Sequence, residues 1–227
     1  MGLAVCLVSG GLDSCVAAAE ASAKGLDLAF LHVSYGQLTE VRERQAFESI
    51  ADFFRVQKRL SVELNYLGLI GGSALTDKSV TLPDGRLERS DIPVSYVPFR
   101  NANLLSIATS WAEILKADYI YVGAVEEDSS GYPDCRLEFF ETFGRAVALG
   151  THPETQLKIV TPLIHFSKKE IVLRGLKLHA PLELTWSCYQ NQDLACGRCD
   201  SCLLRLRGFR EAGVADPIPY VQQREAT

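Results

Sequence analysis

The 227 residues suit one large domain, or one domain with a small appendix. With 47 % hydrophobic and 22 % charged residues, the composition is that of an average globular protein. A net charge of −5 and a pI near 5.4 argue against a generally basic, nucleic-acid-binding surface. No apolar run reaches the roughly 18 to 20 residues that a bilayer span needs, and the start lacks a charged n-region with a small-residue cleavage pattern. The expectation is a cytoplasmic protein with no membrane partner and no direct nucleic-acid binding.

In chain order, the apolar run LAVCLVSG, residues 3–10, reads as a buried parallel strand ended by glycine. DSCVAAAEASAKG, 13–25, reads as a helix with Asp13 or Ser14 near its start and Gly25 as its stop. LDLAFLHVSYG, 26–36, is a second buried strand. A helix over 39–54 follows, with Thr39 as its expected N-cap, then a third strand over 56–64. This β-α-β-α-β order predicts a parallel sheet with right-handed crossovers and helices on both faces. Residues 70–98 are rich in turn formers and poor in periodicity, a long loop of the functional kind. Further elements are a helix over 101–117, a strand over 118–125, an irregular stretch over 126–135 and a helix over 136–150. A strand over 157–164 and a helix over 167–179 with Ser167 as N-cap complete the series. The last forty-odd residues hold a cysteine cluster and a short tail.

The string VSGGLDS, Val8 to Ser14, sits between a strand and a helix. A glycine-rich turn there aims backbone N–H groups and the positive end of a helix dipole into one concavity, which binds phosphate. Ser9 and Ser14 add hydroxyls, Gly10 and Gly11 let the backbone approach, and Asp13 can hold a Mg²⁺ ion that bridges phosphate oxygens. The plain alternative is an ordinary strand–helix turn. Neither the Walker pattern, with its lysine, nor G-x-G-x-x-G is present. SGGLDS instead resembles the pyrophosphate loop (PP-loop) of the N-type ATP pyrophosphatases. That resemblance implies that Val8, Ser9, Gly10, Gly11, Leu12, Asp13 and Ser14 bind ATP. Ser34, Tyr35 and Gln37, at the end of the second strand, are candidates for contacts to adenine and ribose.

Seven cysteines are spread unevenly, and Cys188, Cys196, Cys199 and Cys202 form C-x7-C-x2-C-x2-C. In a reducing compartment this is a metal site rather than two disulfides. Four thiolates suit tetrahedral Zn²⁺ with no open position, hence a structural ion; an iron–sulfur cluster is the alternative. A third constellation, residues 128–139, places Ser130, Gly131, Tyr132, Asp134, Arg136 and Glu138 in one loop after a strand. It suits a flat polar ligand: Tyr132 by stacking, Asp134 and Glu138 by accepting ring N–H groups, Arg136 by pairing a carboxylate. Arg100 and Asn101 stand at the mouth of the sheet. A solvent loop and a surface arginine are the competing readings. Cys135 has no histidine beside it in sequence to act as a base, and the four histidines show no ligand spacing.

Taken together, SGGLDS, SGYPDCR and LTWSCYQNQDLACGRCDSCLLR resemble the QueC (ExsB) family, the 7-cyano-7-deazaguanine synthases of queuosine precursor biosynthesis. The resemblance spans nearly the whole chain. It implies a Rossmann-like α/β fold of the adenine-nucleotide α-hydrolase type, with an ATP-binding domain over 1–180 and a zinc-binding segment over 181–227. It also implies a homodimer. The implied reaction is a ligase step. ATP activates 7-carboxy-7-deazaguanine, ammonia displaces AMP to give an amide, and a second activation dehydrates the amide to the nitrile. Asp13, Ser14 and Arg100 are then the residues nearest the chemistry. Arg100, Asn101 and the 130–138 loop face the substrate, and Cys188, Cys196, Cys199 and Cys202 hold zinc.

Two positions depart from the family pattern. Leu38 and Thr39 stand where a basic pair is common, and Phe99 stands where a small residue is usual. These departures keep a second reading open, a paralogue that transfers the activated acid to another amine, including one on a protein. Other adenylating enzymes of this fold, such as a tRNA thiolase, are disfavoured by the negative charge and the closed cysteine set. A zinc-stabilised binding module without turnover is disfavoured by the intact SGGLDS.

Overall fold

The computed structural model describes residues 2–77, 79–87, 91–126 and 131–221. Ser130, one of the residues expected to meet substrate, lies outside them. Five strands form one wholly parallel sheet: β1 (Leu3–Leu7), β2 (Asp27–Ser34), β3 (Lys58–Glu63), β4 (Tyr119–Val122) and β5 (Lys158–Val160), in the order β3-β2-β1-β4-β5. The most apolar of them, Leu-Ala-Val-Cys-Leu of β1, takes the central place, because a strand with helices on both faces must be apolar on both.

Alternate residues of β1 feed two cores. Ala4 and Cys6 pack with α1 (Leu12–Ala23), α2 (Glu40–Phe53) and α6 (Lys168–Lys177), through Val16, Phe47, Ile50 and Ile171. Val5 and Leu7 pack on the other face with α4 (Arg100–Leu115) and α5 (Leu137–Gly150), through Leu105, Ala108, Phe140 and Val147. The run Ala17-Ala18-Ala19 keeps α1 thin, so it lies close against the sheet. The chain passes from β1 outward to β3, then crosses to β4 on the other side of β1. The sheet's switch point is therefore between β1 and β4, and the crevice at their carboxyl ends is where such sheets take ligands.

The alternating strand–helix order and the parallel sheet are as expected; the differences are local. The strand expected over 157–164 shortens to Lys158–Val160, because Pro162 has no N–H for the ladder and the Ile164 N–H turns back to the Thr161 carbonyl at 3.2 Å. Two helices were not foreseen: α3 (Asn65–Ile70), and α7 (Asp200–Glu211), which begins directly after Cys199. Thr39 does occupy the N-cap position of α2, but it caps no backbone N–H; its hydroxyl donates to Glu43 Oε1 at 2.7 Å. Ser167 caps α6 with a full capping box with Glu170.

The long segment after α3 is tied down at two places. The Leu38 N–H donates to the Leu75 carbonyl at 3.1 Å and the Gly85 N–H to the Arg198 carbonyl at 2.7 Å. The Arg86 N–H donates to Asp200 Oδ1 at 2.7 Å. A Cβ at Gly85 would lie 2.4 Å from the Asp200 nitrogen, so this crossing over the cysteine segment requires glycine.

Candidate active site

A cavity of about 270 Å³ opens at the carboxyl end of the sheet. The SGGLDS turn forms its floor. Gly10 has φ +91°, and a Cβ there would meet the Glu43 carbonyl at 2.5 Å; the turn closes against α2 only with glycine. Gly11 caps α1 with no side-chain hydrogen bond to the first-turn N–H groups. Ser9 and Ser14 hold the loop: their hydroxyls lie 3.1 Å apart, Ser14 donates to the Gly11 carbonyl at 3.0 Å, and the Gly11 N–H donates to Ser9 Oγ at 3.2 Å. From the far side Gly123, just past β4, approaches so closely that a Cβ would lie 2.6 Å from the Ser14 nitrogen. Two strand ends and a helix start thus converge on one concavity lined with donors, the arrangement that binds phosphate.

The loop carries no lysine, yet the site has one. Lys168, the first residue of α6, reaches Asp13 Oδ2 with its ammonium at 2.5 Å, and both residues line the cavity. Asp13 Oδ1 is buried and has no hydrogen-bond partner. A buried, orphaned carboxylate oxygen beside a phosphate cradle fits a divalent cation, which takes oxygen ligands of this kind.

The opposite wall gathers aromatic and charged groups from four parts of the chain. Arg100, at the start of α4, donates to the Tyr35 hydroxyl at 2.9 Å, and its guanidinium lies 5.4 Å and 5.6 Å from the ring centres of Tyr35 and Tyr132. Gln37 Oε1 accepts the Tyr35 N–H at 2.7 Å, and Gln37 Nε2 donates to Glu43 Oε2 at 3.0 Å. With Thr39 on its other oxygen, Glu43 stands at the wall with its carboxylate held from two sides. Burial pushes this carboxyl above its usual range, against the two hydrogen bonds and the nearby Arg100. Tyr189, Trp186 and Ser187 close the cavity from the cysteine segment, anchored by the Trp186 N–H on the Gly10 carbonyl at 2.8 Å.

The expected site residues divide. Val8, Ser9, Gly11, Leu12, Asp13, Ser14, Tyr35, Gln37, Arg100, Asn101 and Tyr132 line the cavity. Gly10 lies beneath the loop, shaping it. Ser34 is buried behind the wall, its hydroxyl 3.5 Å from His32 Nε2. Asp134 is turned away to hold α4: Oδ2 accepts the Asn101 N–H and its carbonyl accepts Asn101 Nδ2, both at 2.8 Å. Gly131, Arg136 and Glu138 are exposed and off the cavity wall. Cys135, by contrast, does line it; burial pushes its thiol up to about 11, so it stands there as a neutral group. Leu38 and Thr39 are on the wall, whereas Phe99 is 60 % exposed at the left-handed residue before α4 and is not.

Residues not expected at the site complete it: Lys168 and Glu43, which carry no local signal in the sequence, and Trp186, Ser187, Tyr189 and Arg205, which lie within the quoted cysteine string. Lys168 follows a recognisable N-cap, but nothing near it in the chain marks it as a partner of Asp13.

Cys188, Cys196, Cys199 and Cys202 are all buried, with their sulfurs within 4.8 Å of one another. Backbone N–H groups of Gln190, Asn191 and Cys196 point at Cys188 Sγ, and those of Arg198 and Cys199 at Cys196 Sγ, at 3.3–3.5 Å. The Cys196–Cys202 sulfur separation of 3.9 Å matches the edge of a tetrahedron with metal–sulfur bonds of about 2.3 Å. The donor set therefore fits a single thiophilic ion with no open position. Behind it, Arg205 is fully enclosed by Asp216, Thr185 and the Leu182 carbonyl, which fixes α7 to the segment before the cysteines.

A family profile described as "Queuosine biosynthesis protein QueC" matches residues 3–213. Proteins named 7-cyano-7-deazaguanine synthase from Chloroherpeton thalassium and Chlorobium phaeobacteroides are 52 % and 54 % identical, over 96 % and 97 % of both chains respectively. Among solved structures, a 4-thiouridine synthetase in complex with RNA and bound ATP superposes with a TM-score of 0.52 at 20 % identity. That likeness covers 96 % of this chain and 47 % of that one, and it is a likeness of fold. Among the described residues no helix is long and apolar enough to cross a membrane. With its PP-loop turn, its four-cysteine knuckle and more than half its residues shared along almost the full length, the chain belongs to the QueC family of queuosine biosynthesis proteins.

Proposed function

We propose that the protein is a 7-cyano-7-deazaguanine synthase that uses ATP and ammonia to convert 7-carboxy-7-deazaguanine to the nitrile. The observation that supports this best is the single cavity shared by the SGGLDS turn, Arg100 and the aromatic wall, in a chain this similar to proteins of that name. In this reading the loop N–H groups, Ser9, Ser14 and Lys168 hold the β- and γ-phosphates as a leaving pyrophosphate. Mg²⁺, held at Asp13 Oδ1, supplies charge neutralisation at the phosphates when bound. The substrate carboxylate, oriented by Arg100, attacks the α-phosphorus to give an acyl adenylate. Ammonia then attacks the acyl carbon and AMP leaves with the carboxylate oxygen. A second adenylation of the amide oxygen lets AMP leave again as the nitrile forms, so both carboxylate oxygens end in AMP, two pyrophosphates are released, and the hydrogens of ammonia leave as protons. Positioning and electrostatics carry such chemistry, and no protein nucleophile is needed.

Residues 1–180 then form the ATP-binding part and 181–227 the zinc-bearing part. The zinc is structural, since four thiolates leave it no open position. The same reading carries a cytoplasmic homodimer, which sedimentation tests. Incubation with 7-carboxy-7-deazaguanine, ATP, Mg²⁺ and ammonium is expected to give the nitrile by mass spectrometry, with AMP and pyrophosphate accumulating. Exclusive formation of ADP and phosphate overturns the reading. A second reading, transfer of the activated acid to another amine, draws on Leu38 and Thr39, which line the cavity in place of a basic pair. It predicts an amide-linked adduct in place of the nitrile.

A further inference from the structure

A deazaguanine ring presents two adjacent donors, a ring N–H and an exocyclic amino group. Their natural complement is a carboxylate, whose two oxygens accept them side by side. Of the carboxylates expected to do this, Asp134 is spent on the start of α4 and Glu138 is exposed on α5, outside the cavity. Among the described residues two carboxylates line the cavity, Asp13 and Glu43. Asp13 lies in the phosphate loop and pairs with Lys168. Glu43 is on the other wall, with Tyr35 and Arg100 near it. Each of its oxygens accepts one hydrogen bond, from Thr39 at 2.7 Å and from Gln37 at 3.0 Å. Each keeps a lone pair, and the two bonds lock the plane of the group. Both hydrogen-bond partners are neutral, and the nearby cation, Arg100, donates to the Tyr35 hydroxyl.

We infer that Glu43 is the specificity-determining residue of this site, its carboxylate accepting the ring N–H and the exocyclic amino group of the deazaguanine. The inference rests on the deazaguanine reading above and assigns the base-reading role that the 130–138 loop was expected to fill. Thr39 and Gln37 are positioning residues that hold the carboxylate in plane.

The test is equilibrium binding, without nucleotide, of 7-carboxy-7-deazaguanine and of its analogue lacking the exocyclic amino group, on the full-length protein and on Glu43→Gln. The wild type is expected to prefer the amino-bearing ligand by about tenfold or more, because an unmet buried acceptor is costly. In Glu43→Gln the side-chain NH₂ meets the ligand's donors. Affinity for 7-carboxy-7-deazaguanine is expected to fall about tenfold or more, the analogue's to change less than about threefold, and ATP affinity to hold. Equal loss for both ligands, or an unchanged preference, overturns the inference. Wild type that binds both ligands equally overturns it too and leaves the deazaguanine reading standing. Wild type that binds ATP but neither ligand overturns both. Should Glu43→Gln fail to fold, Thr39→Val serves: losing one of the two positioning bonds is expected to reduce the preference several-fold, and an unchanged preference counts against Glu43.

Discussion

The SGGLDS turn and the cysteine knuckle are both short glycine-containing strings that gather backbone N–H groups, but they use those groups in opposite ways. In the knuckle, the N–H groups of five residues are turned inward onto Cys188 and Cys196, and the four sulfurs are buried. In the turn, α1 starts at a glycine with no side chain capping it, and Asp13 Oδ1 is left without a partner. A site whose polar groups satisfy one another holds structure. A site that leaves donors and an acceptor unmet is built for a ligand that comes and goes. The two are nonetheless joined, since Trp186 from the segment that leads into the knuckle bonds directly to Gly10.

Breaking the knuckle should have the largest effect. Cys199→Ser is expected to reduce bound metal from one equivalent to none and to lower the melting midpoint by about 10 °C or more, as judged by metal analysis and calorimetry. Turnover falls with it, because Trp186, Ser187 and Tyr189 lose their support. An unchanged midpoint would erase the contrast. Breaking the turn should act on chemistry alone: Asp13→Asn is expected to cut pyrophosphate release by about 10³-fold while the midpoint moves by only a few degrees. Lys168→Met sharpens the point further. If this distant lysine serves the loop, kcat should drop by about 10²-fold with the zinc content unchanged; loss of zinc would place Lys168 on the structural side instead. The smallest effect is expected at Cys135. Its thiol is held neutral by burial, and Cys135→Ala should change kcat less than about threefold. A large loss there would point to a nucleophile for which the site otherwise makes no provision.

Much of this contrast was legible in the residue order. The apolar β1 run, the glycine pair after it and the spacing of the four cysteines are each contiguous, and contiguous strings dictate local backbone geometry through sterics and hydrogen bonding. The helix α7 was hidden because its charged sequence begins inside the cysteine motif. Asp134 misled because a buried carboxylate in a polar loop looks alike whether it binds a ligand or an N–H of α4; the second use is visible only once Asn101, 33 positions away, is placed beside it.

The missing lysine shows the same boundary. Its absence from SGGLDS excludes a Walker loop, and that conclusion belongs to the sequence alone, together with the parallel α/β class and a four-cysteine cluster that could hold a metal ion. That a lysine reaches the loop after all, from 155 residues away, was decided by the tertiary structure. The cause is packing. The apolar face of α6 docks on α1 through Ile171 and Val172, and Glu20 pairs with Arg174 to set its register. Ser167 fixes where the helix begins, so its first residue falls at the loop. Glu43, likewise, came to line the cavity only when α2 closed against Gly10. Local strings specify which chemistry a site can hold; the crossing of helices over the sheet decides which distant side chains complete it.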